Sequence, residues 1–410
     1  MTEASRPPRG RATLLLLGAA FVAAIAYVDP GNVAANLTDG ARYGYLLLWV
    51  VVLANAIAVL VQYQSAKLGI VTGRSLPEIL GERLTTGPRR VYWIQAELVA
   101  AATDIAEVLG GAIALHLLFG IPLLLGGAIV GIASMLLLAV QSRRGQRSFE
   151  IIIVTLLGVI VVGFMSGLLF SGLDPAEAVT GLVPRFEGVD SVLLATSMLG
   201  ATVMPHVIYL HSALARDRHG ATTDVGRIRQ LLRATRWDVG AALFVAGAVN
   251  ISMLLLAASA LRGIEGTDTI EGAHAAVVAT LGPAVGVIFA VGLLASGLAS
   301  TSVGTYAGSA IMGGLLKVRV PLLLRRAITL IPALVILAVG FDPTQALVLS
   351  QVVLSFGIPF ALIPLVWLAS SRKELGEFAN PTWLRWAGWI SAGLISLLNV
   401  LLIVLVVTGV

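Results

Sequence analysis

The stretch that most constrains this chain is Ala26-Tyr27-Val28-Asp29-Pro30-Gly31-Asn32, in the middle of its first long apolar segment. The run from 13 to 35 suffices to cross a bilayer, which takes about 20 residues of helix. Its centre nonetheless holds an acid, a proline, a glycine and an amide. Proline lacks an N–H and its ring clashes with the carbonyl one turn back, while glycine loosens the turn after it. Backbone groups freed at mid-membrane need partners, so such a break is tolerated only against protein or a water-filled cavity. A carboxylate there costs roughly 2.5–3.5 kcal/mol on insertion scales, and intramembrane acids are functional by default. Carbonyls exposed beside a carboxylate and an amide have the chemistry of a cation site. The plainer alternative is that Asp29 N-caps the second half-helix, with Pro30 in its first turn.

The rest of the chain reads as a polytopic, all-α membrane protein. Its 410 residues are 58% hydrophobic and only 12% charged. Mean hydropathy is +0.94, and apolar runs of about 20 residues recur. The absence of cysteine excludes disulfides, thiolate metal sites and thiol redox centres. The basic tail before the first run has no small-residue cleavage signal, so the run reads as a retained span.

Eleven spans are expected, near 13–37, 45–67, 91–119, 121–141, 149–171, 191–214, 238–261, 283–311, 324–340, 343–369 and 384–408. All but three of the 27 Lys and Arg then fall on the tail and the even-numbered loops; the exceptions are Arg42, Arg185 and Arg262. By the positive-inside rule the N-terminus is cytoplasmic and the C-terminus external. This distribution also explains the net charge of +5 without nucleic acid. The eighth span carries Gly292, Ser296, Ser300, Gly304 and Gly308 at four-residue spacing, which reads as a face for close helix packing.

A second break repeats the first. The sixth span reads Gly200-Ala201-Thr202-Val203-Met204-Pro205-His206, again with proline at mid-span. Five spans separate the two, so the second half of the chain is inverted relative to the first. Paired broken helices in two inverted halves point to a transporter's midplane site. The expected organisation is one transmembrane domain over 1–410: a first repeat about 13–171, a second about 191–369, and an extra helix about 384–408.

Asp29 and Asn32 offer oxygen at the first break, with the Ala26 carbonyl a further candidate. Met204 offers a thioether and Ala201 an unwound carbonyl at the second. Oxygen alone suits Mg²⁺ or Ca²⁺, whereas a thioether favours softer ions such as Mn²⁺ or Fe²⁺. Alternatively Met204 is a flexible core filler. On the third span Glu97, Asp104 and Glu107 fall within roughly an 80° arc, which reads as a proton or ion route. The competing reading is ion pairing with Arg325 and Arg326. His206, beside the second break, is a candidate proton relay. His211 and His116 read as packed, hydrogen-bonded histidines, and Asn250 and Gln351 as weaker oxygen donors or gates.

The pair Asp29-Pro30-Gly31-Asn32 and Met204-Pro205-His206 closely resembles the signature motifs of the Nramp family of divalent metal transporters. With the third-span acids and the Arg325-Arg326 pair, the resemblance covers essentially the whole chain. It implies a LeuT-type inverted-repeat fold and proton-coupled uptake of Mn²⁺, Fe²⁺ and related ions. By matched position, Asp29, Asn32 and Met204 with the Ala26 and Ala201 carbonyls would bind metal, joined by Gln351 in some conformations. Asp104 and Glu107 would carry protons, with Asp29 as the coupling point and Glu97, Arg325 and Arg326 nearby. The expected protein is a non-enzymatic, multi-pass importer of the cell (inner) membrane, working as a monomer. It would hold no permanent cofactor, only transported metal and protons. The competing function is an Na⁺-coupled organic-solute symporter of the same fold.

Overall fold

The computed structural model describes residues 18–318 and 320–408; the tail arginines, residues 13–17 of the first span and Arg319 lie outside them. Among the described residues the secondary structure is helical, with no strand. Among the described residues nine helical stretches are long and apolar enough to cross a membrane, counting the broken sixth as one, and they occupy the expected spans two to eight, ten and eleven. The first span is a chain of shorter pieces: half-helix Ala19–Ala24, the tight turn Ile25–Val28, and helix Pro30–Tyr43. The ninth is Leu322–Ala338, a 17-residue helix. This is a multi-pass membrane protein.

Local chemistry sets the ends. The third span, Thr86–Phe119, stops where Gly120 turns left-handed (φ 65°) and gives its N–H to the His116 carbonyl at 2.8 Å. The eighth, Pro283–Leu316, starts with proline in its first turn, where the missing N–H costs nothing. The seventh, Val225–Ala260, begins well before its expected position because Asp224 caps it and a basic, amphipathic turn precedes the apolar run. Short helices Leu76–Arg83, Pro175–Thr180 and Ile270–Leu281, outside the expected spans, fill the loops.

Packing centres on the two breaks. Helix Pro30–Tyr43 packs along the seventh span, and Pro205–His219, the second half of the sixth, packs along the second span, Leu48–Thr72. The third span lies along the eighth, which also packs on the fifth, Gln146–Leu168. Ala26, Tyr27, Val28, Met204 and Val207 share one buried cluster. Lipid cannot squeeze helices together as water does, so close van der Waals fit and interhelical hydrogen bonds must hold these contacts.

Candidate functional site

At the first break the helix tightens through Ile25–Val28, and Asp29 is then extended (φ −72°, ψ 166°) before Pro30 opens the next helix. Asp29 Oδ1 accepts from the Asn32 backbone N–H at 2.9 Å and from Asn32 Nδ2 at 2.6 Å. The capping role is therefore real, yet it occupies one oxygen. Oδ2 is buried with no hydrogen-bond partner. Distant spans latch the neighbouring carbonyls: Asn250 donates to Tyr27 at 2.8 Å and Ser296 to Val28 at 2.5 Å. Asn250 also accepts from Asn36 (3.1 Å), so it serves as a brace in place of the expected ligand or gate.

At the second break, helix Gly188–Thr202 ends, Val203 and Met204 leave helical geometry, and Pro205 restarts the helix. Met204 is fully buried. Ala201, expected in unwound chain, instead sits in the last helical turn, because unwinding begins two residues later. Its carbonyl is free for another reason: the last four carbonyls of a helix have no intrahelical donor. It accepts from Asn32 Nδ2 at 3.2 Å, so Asn32 bridges the two breaks. Ala26 likewise lies in a tight turn and not in open chain.

Gln351 reaches the first break from the tenth span, Pro343–Ala369. A side chain at position 31 would collide with the Gln351 amide and come within 3.1 Å of Asp29 Oδ2, so Gly31 keeps that space open. Both amide atoms of Gln351 are buried without a partner. A cavity of about 270 Å³, lined by Gly31, Thr38, Arg42, Leu347 and Gln351, reaches the break from the Arg42 end. Toward the other end the half-helix before the break is tied down. Asp238 accepts from the Gly18 and Ala20 N–H groups (3.0 to 3.1 Å), and Arg218 pairs with Glu150.

The third-span acids divide. Glu97 forms a two-point pair with Arg325 at 2.5 and 3.2 Å. Asp104 pairs with fully buried Arg326 and accepts from Thr301 (2.8 Å), while Arg326 Nε donates to Ser134 at 2.6 Å. Ion pairing thus accounts for Glu97 and for one oxygen of Asp104, whose Oδ2 stays buried without a partner. It does not account for Glu107, fully buried with no partner for either oxygen. The small-residue face of the eighth span does more than pack helices closely. A Cβ at Gly304 would lie 2.9 Å from Glu107 Oε2, and one at Gly308 would displace the Arg325 guanidinium.

Of the histidines, His206 Nδ1 lies 3.4 Å from Thr103 Oγ1 and its Nε2 has no partner. His211 is packed and bonded to Gln62 (2.8 Å), which donates to the Tyr27 hydroxyl at 2.6 Å. His116 bonds the Ile121 carbonyl (3.0 Å) but is exposed, since it sits in the last turn of its span. Asp39 escaped the sequence reading. It is fully buried, both oxygens lack a partner, and its spacing from Asn32 and Asn36 (i, i+4, i+7) was the available signal.

Among the described residues no three His, Asp or Glu side chains gather to hold a metal ion. The donors at the breaks are one carboxylate oxygen, amides, helix-end carbonyls and a thioether. Hard oxygens and one soft sulfur together have the chemistry to exchange for the water of a borderline-soft divalent cation.

Residues 20–405 match the family described as natural resistance-associated macrophage protein-like (Nramp). The divalent metal cation transporter MntH of Mycobacterium tuberculosis is 61% identical over 394 residues, covering 96% of this chain and 92% of that protein. A mutant of the Eremococcus coleocola manganese transporter superposes with a TM-score of 0.89 at 31% identity, covering 98% of this chain and 88% of that one. MhsT, solved with L-phenylalanine, shares the fold alone, with a TM-score of 0.64 at 15% identity over 94% of this chain and 97% of its own. Matches of this extent and identity make the chain a member of the Nramp family, built on the LeuT-type fold with broken first and sixth helices.

Proposed function

We propose that the protein imports divalent transition-metal ions, Mn²⁺ and Fe²⁺ foremost, in symport with protons. The observation that carries this reading is Asp29 Oδ2, a buried carboxylate oxygen without a donor where the two breaks meet. A cation held there replaces lost hydration with Asp29, Asn32, Gln351, the Ala26 and Ala201 carbonyls and the Met204 sulfur. The names of the relatives as metal transporters support the choice of substrate.

Metal arrives through the Arg42-end cavity, and release requires the half-helix Ala19–Ala24 to leave Asp238. Alternating access of this kind rocks one bundle against the other around a fixed site. Protons leave Asp29 by way of Glu107 and Asp104, with Arg326 offsetting charge at Asp104, Arg325 at Glu97, and His206 as a relay. With the N-terminus in the cytoplasm of an inner membrane, the membrane potential pulls the ion inward by about 2.3 kcal/mol per charge per 100 mV. The monomer carries the whole path. The two repeats run about 13–171 and 191–369.

Mn²⁺ uptake into proteoliposomes, with internal pH read in parallel, tests this. Acidification that follows Mn²⁺ entry without Na⁺, and is lost in Asp104→Asn while Mn²⁺ binding persists, is the expected result. Uptake without acidification removes the proton role. Uptake of an organic solute that requires Na⁺, with none of Mn²⁺, selects the competing symporter.

A further inference from the structure

On the outside of the bundle, a groove of about 610 Å³ runs between the second span, the basic extension of the seventh and the start of the eleventh, Thr382–Thr408. It shares no residue with the breaks. Val59, Leu60, Leu232, Phe378, Trp383 and Leu384 give it apolar walls. From Lys67 at its mouth to Ala56 at its far end is eleven residues of helix, a length of about 16 Å.

The mouth is cationic. Lys67 and Arg236 line it, and an adjoining recess of about 470 Å³ adds Arg229 and Arg233. Arg229, Arg233 and Arg236 follow i, i+4, i+7 spacing and so share one helix face. Arg229 is taken by Glu377 at 2.8 Å. Arg233 and Arg236 are exposed, and Arg236 stacks 5.8 Å from the Tyr63 ring centroid. Lys67 is the informative member. It is only 3% exposed, and its contacts are the Asn380 amide oxygen and the Tyr63 ring, at 6.0 Å. Among the described residues no carboxylate pairs with Lys67, Arg233 or Arg236. Burying an ammonium group without a counter-charge is costly.

Trp383 on the groove wall and Trp237, next in sequence to Arg236, are exposed, and tryptophan favours the boundary between headgroups and chains. An apolar trough descending from that boundary, under three cations without counter-ions, fits a molecule with an anionic head and a hydrocarbon tail. We propose that the groove is a binding site for an anionic phospholipid, its phosphate on Lys67, Arg233 and Arg236 and one acyl chain along the trough. Basic pockets between transmembrane helices take anionic headgroups in this way.

Native mass spectrometry of the full-length protein, from micelles supplied with dioleoyl-phosphatidylglycerol or dioleoyl-phosphatidylcholine, tests the site. The wild type should retain phosphatidylglycerol preferentially. The pair Arg233→Gln and Arg236→Gln, both exposed and tolerant of change, should lower that preference by roughly 30-fold. Removing two arginines elsewhere at the basic end, Arg143→Gln with Arg147→Gln, should leave it intact. Ala56→Trp, which fills the trough and spares every charge, should also reduce retention. Equal loss in the two arginine pairs would reduce the effect to diffuse attraction and overturn the site. So would displacement of the lipid by millimolar inorganic phosphate, or unchanged retention in Ala56→Trp.

Discussion

Both broken spans restart a helix inside the membrane with proline in its first turn, after one extended residue: Asp29 in the first (ψ 166°), Met204 in the second (ψ 121°). Beyond that they diverge. The first break is well served: its own Asp29 caps the new helix, and Asn250 and Ser296 from distant spans latch its carbonyls. The second has no side-chain cap, and its free carbonyl at Ala201 is served by Asn32 from the first. Charge and hydrogen-bonding capacity therefore sit on one half of the site, and polarisable softness on the other. On the proposed function, a cation between them would be held by the first and discriminated by the second.

The sharpest way to break this division is Asp29→Asn. Asparagine caps a helix about as well as aspartate, so the thermal midpoint should scarcely move. The charge is gone, however, and Mn²⁺ uptake should fall by about 100-fold or more. Uptake that survives in a stable Asp29→Asn protein would make Asp29 a cap and nothing else. The counterpart is Met204→Leu, which conserves volume where Met204→Ala would leave a cavity costing about 2–5 kcal/mol. Mn²⁺ uptake should drop by roughly 10-fold while Ca²⁺ gains entry, since a soft ligand acts by difference of affinity. A Met204→Leu protein that still excludes Ca²⁺ would place discrimination elsewhere.

Legibility in the sequence shows the same asymmetry. Prolines at mid-span announce themselves without any knowledge of neighbours, as did the third-span acids and the paired arginines that meet Glu97 and Asp104. The features that stayed hidden depend on partners far along the chain. Nothing near Ser296 says that its hydroxyl caps Val28, and nothing near Gly304 or Gly308 says that they vacate space for Glu107 and Arg325. Ala201 was expected in open chain because hydropathy locates a break only to within a turn, whereas the cap decides which carbonyls are free. The length of the seventh span was misjudged because its first turns are amphipathic, not apolar.

The two halves of the first span differ as well. Helix Pro30–Tyr43 is braced along the seventh span, while half-helix Ala19–Ala24, which packs on the same span and on the fifth and sixth, has the N–H groups of Gly18 and Ala20 tied to the Asp238 carboxylate. Asp238→Ala removes an N-terminal cap of about 1 kcal/mol and should populate the released half-helix roughly fivefold more. The chain has no cysteine, so a single Ala23→Cys reporter, almost fully buried, can read this as a maleimide labelling rate. An unchanged rate would show that Asp238 does not hold the gate.

The smallest effect is also the one with opposing signs. Gln351 buries both amide atoms without partners, a burden of about 1–3 kcal/mol if nothing binds there. In Gln351→Leu that burden disappears, so the metal-free protein should be more stable by about 1 kcal/mol. If the amide is a ligand, the same change should weaken Mn²⁺ by roughly threefold and shrink the stabilisation that Mn²⁺ confers, because a ligand stabilises only in proportion to its affinity. Thermal midpoints with and without Mn²⁺ separate the two. A midpoint that rises without metal, with an undiminished Mn²⁺ shift, would make Gln351 a gate lining the Arg42-end cavity and return the whole of the hard-ligand role to Asp29 and Asn32.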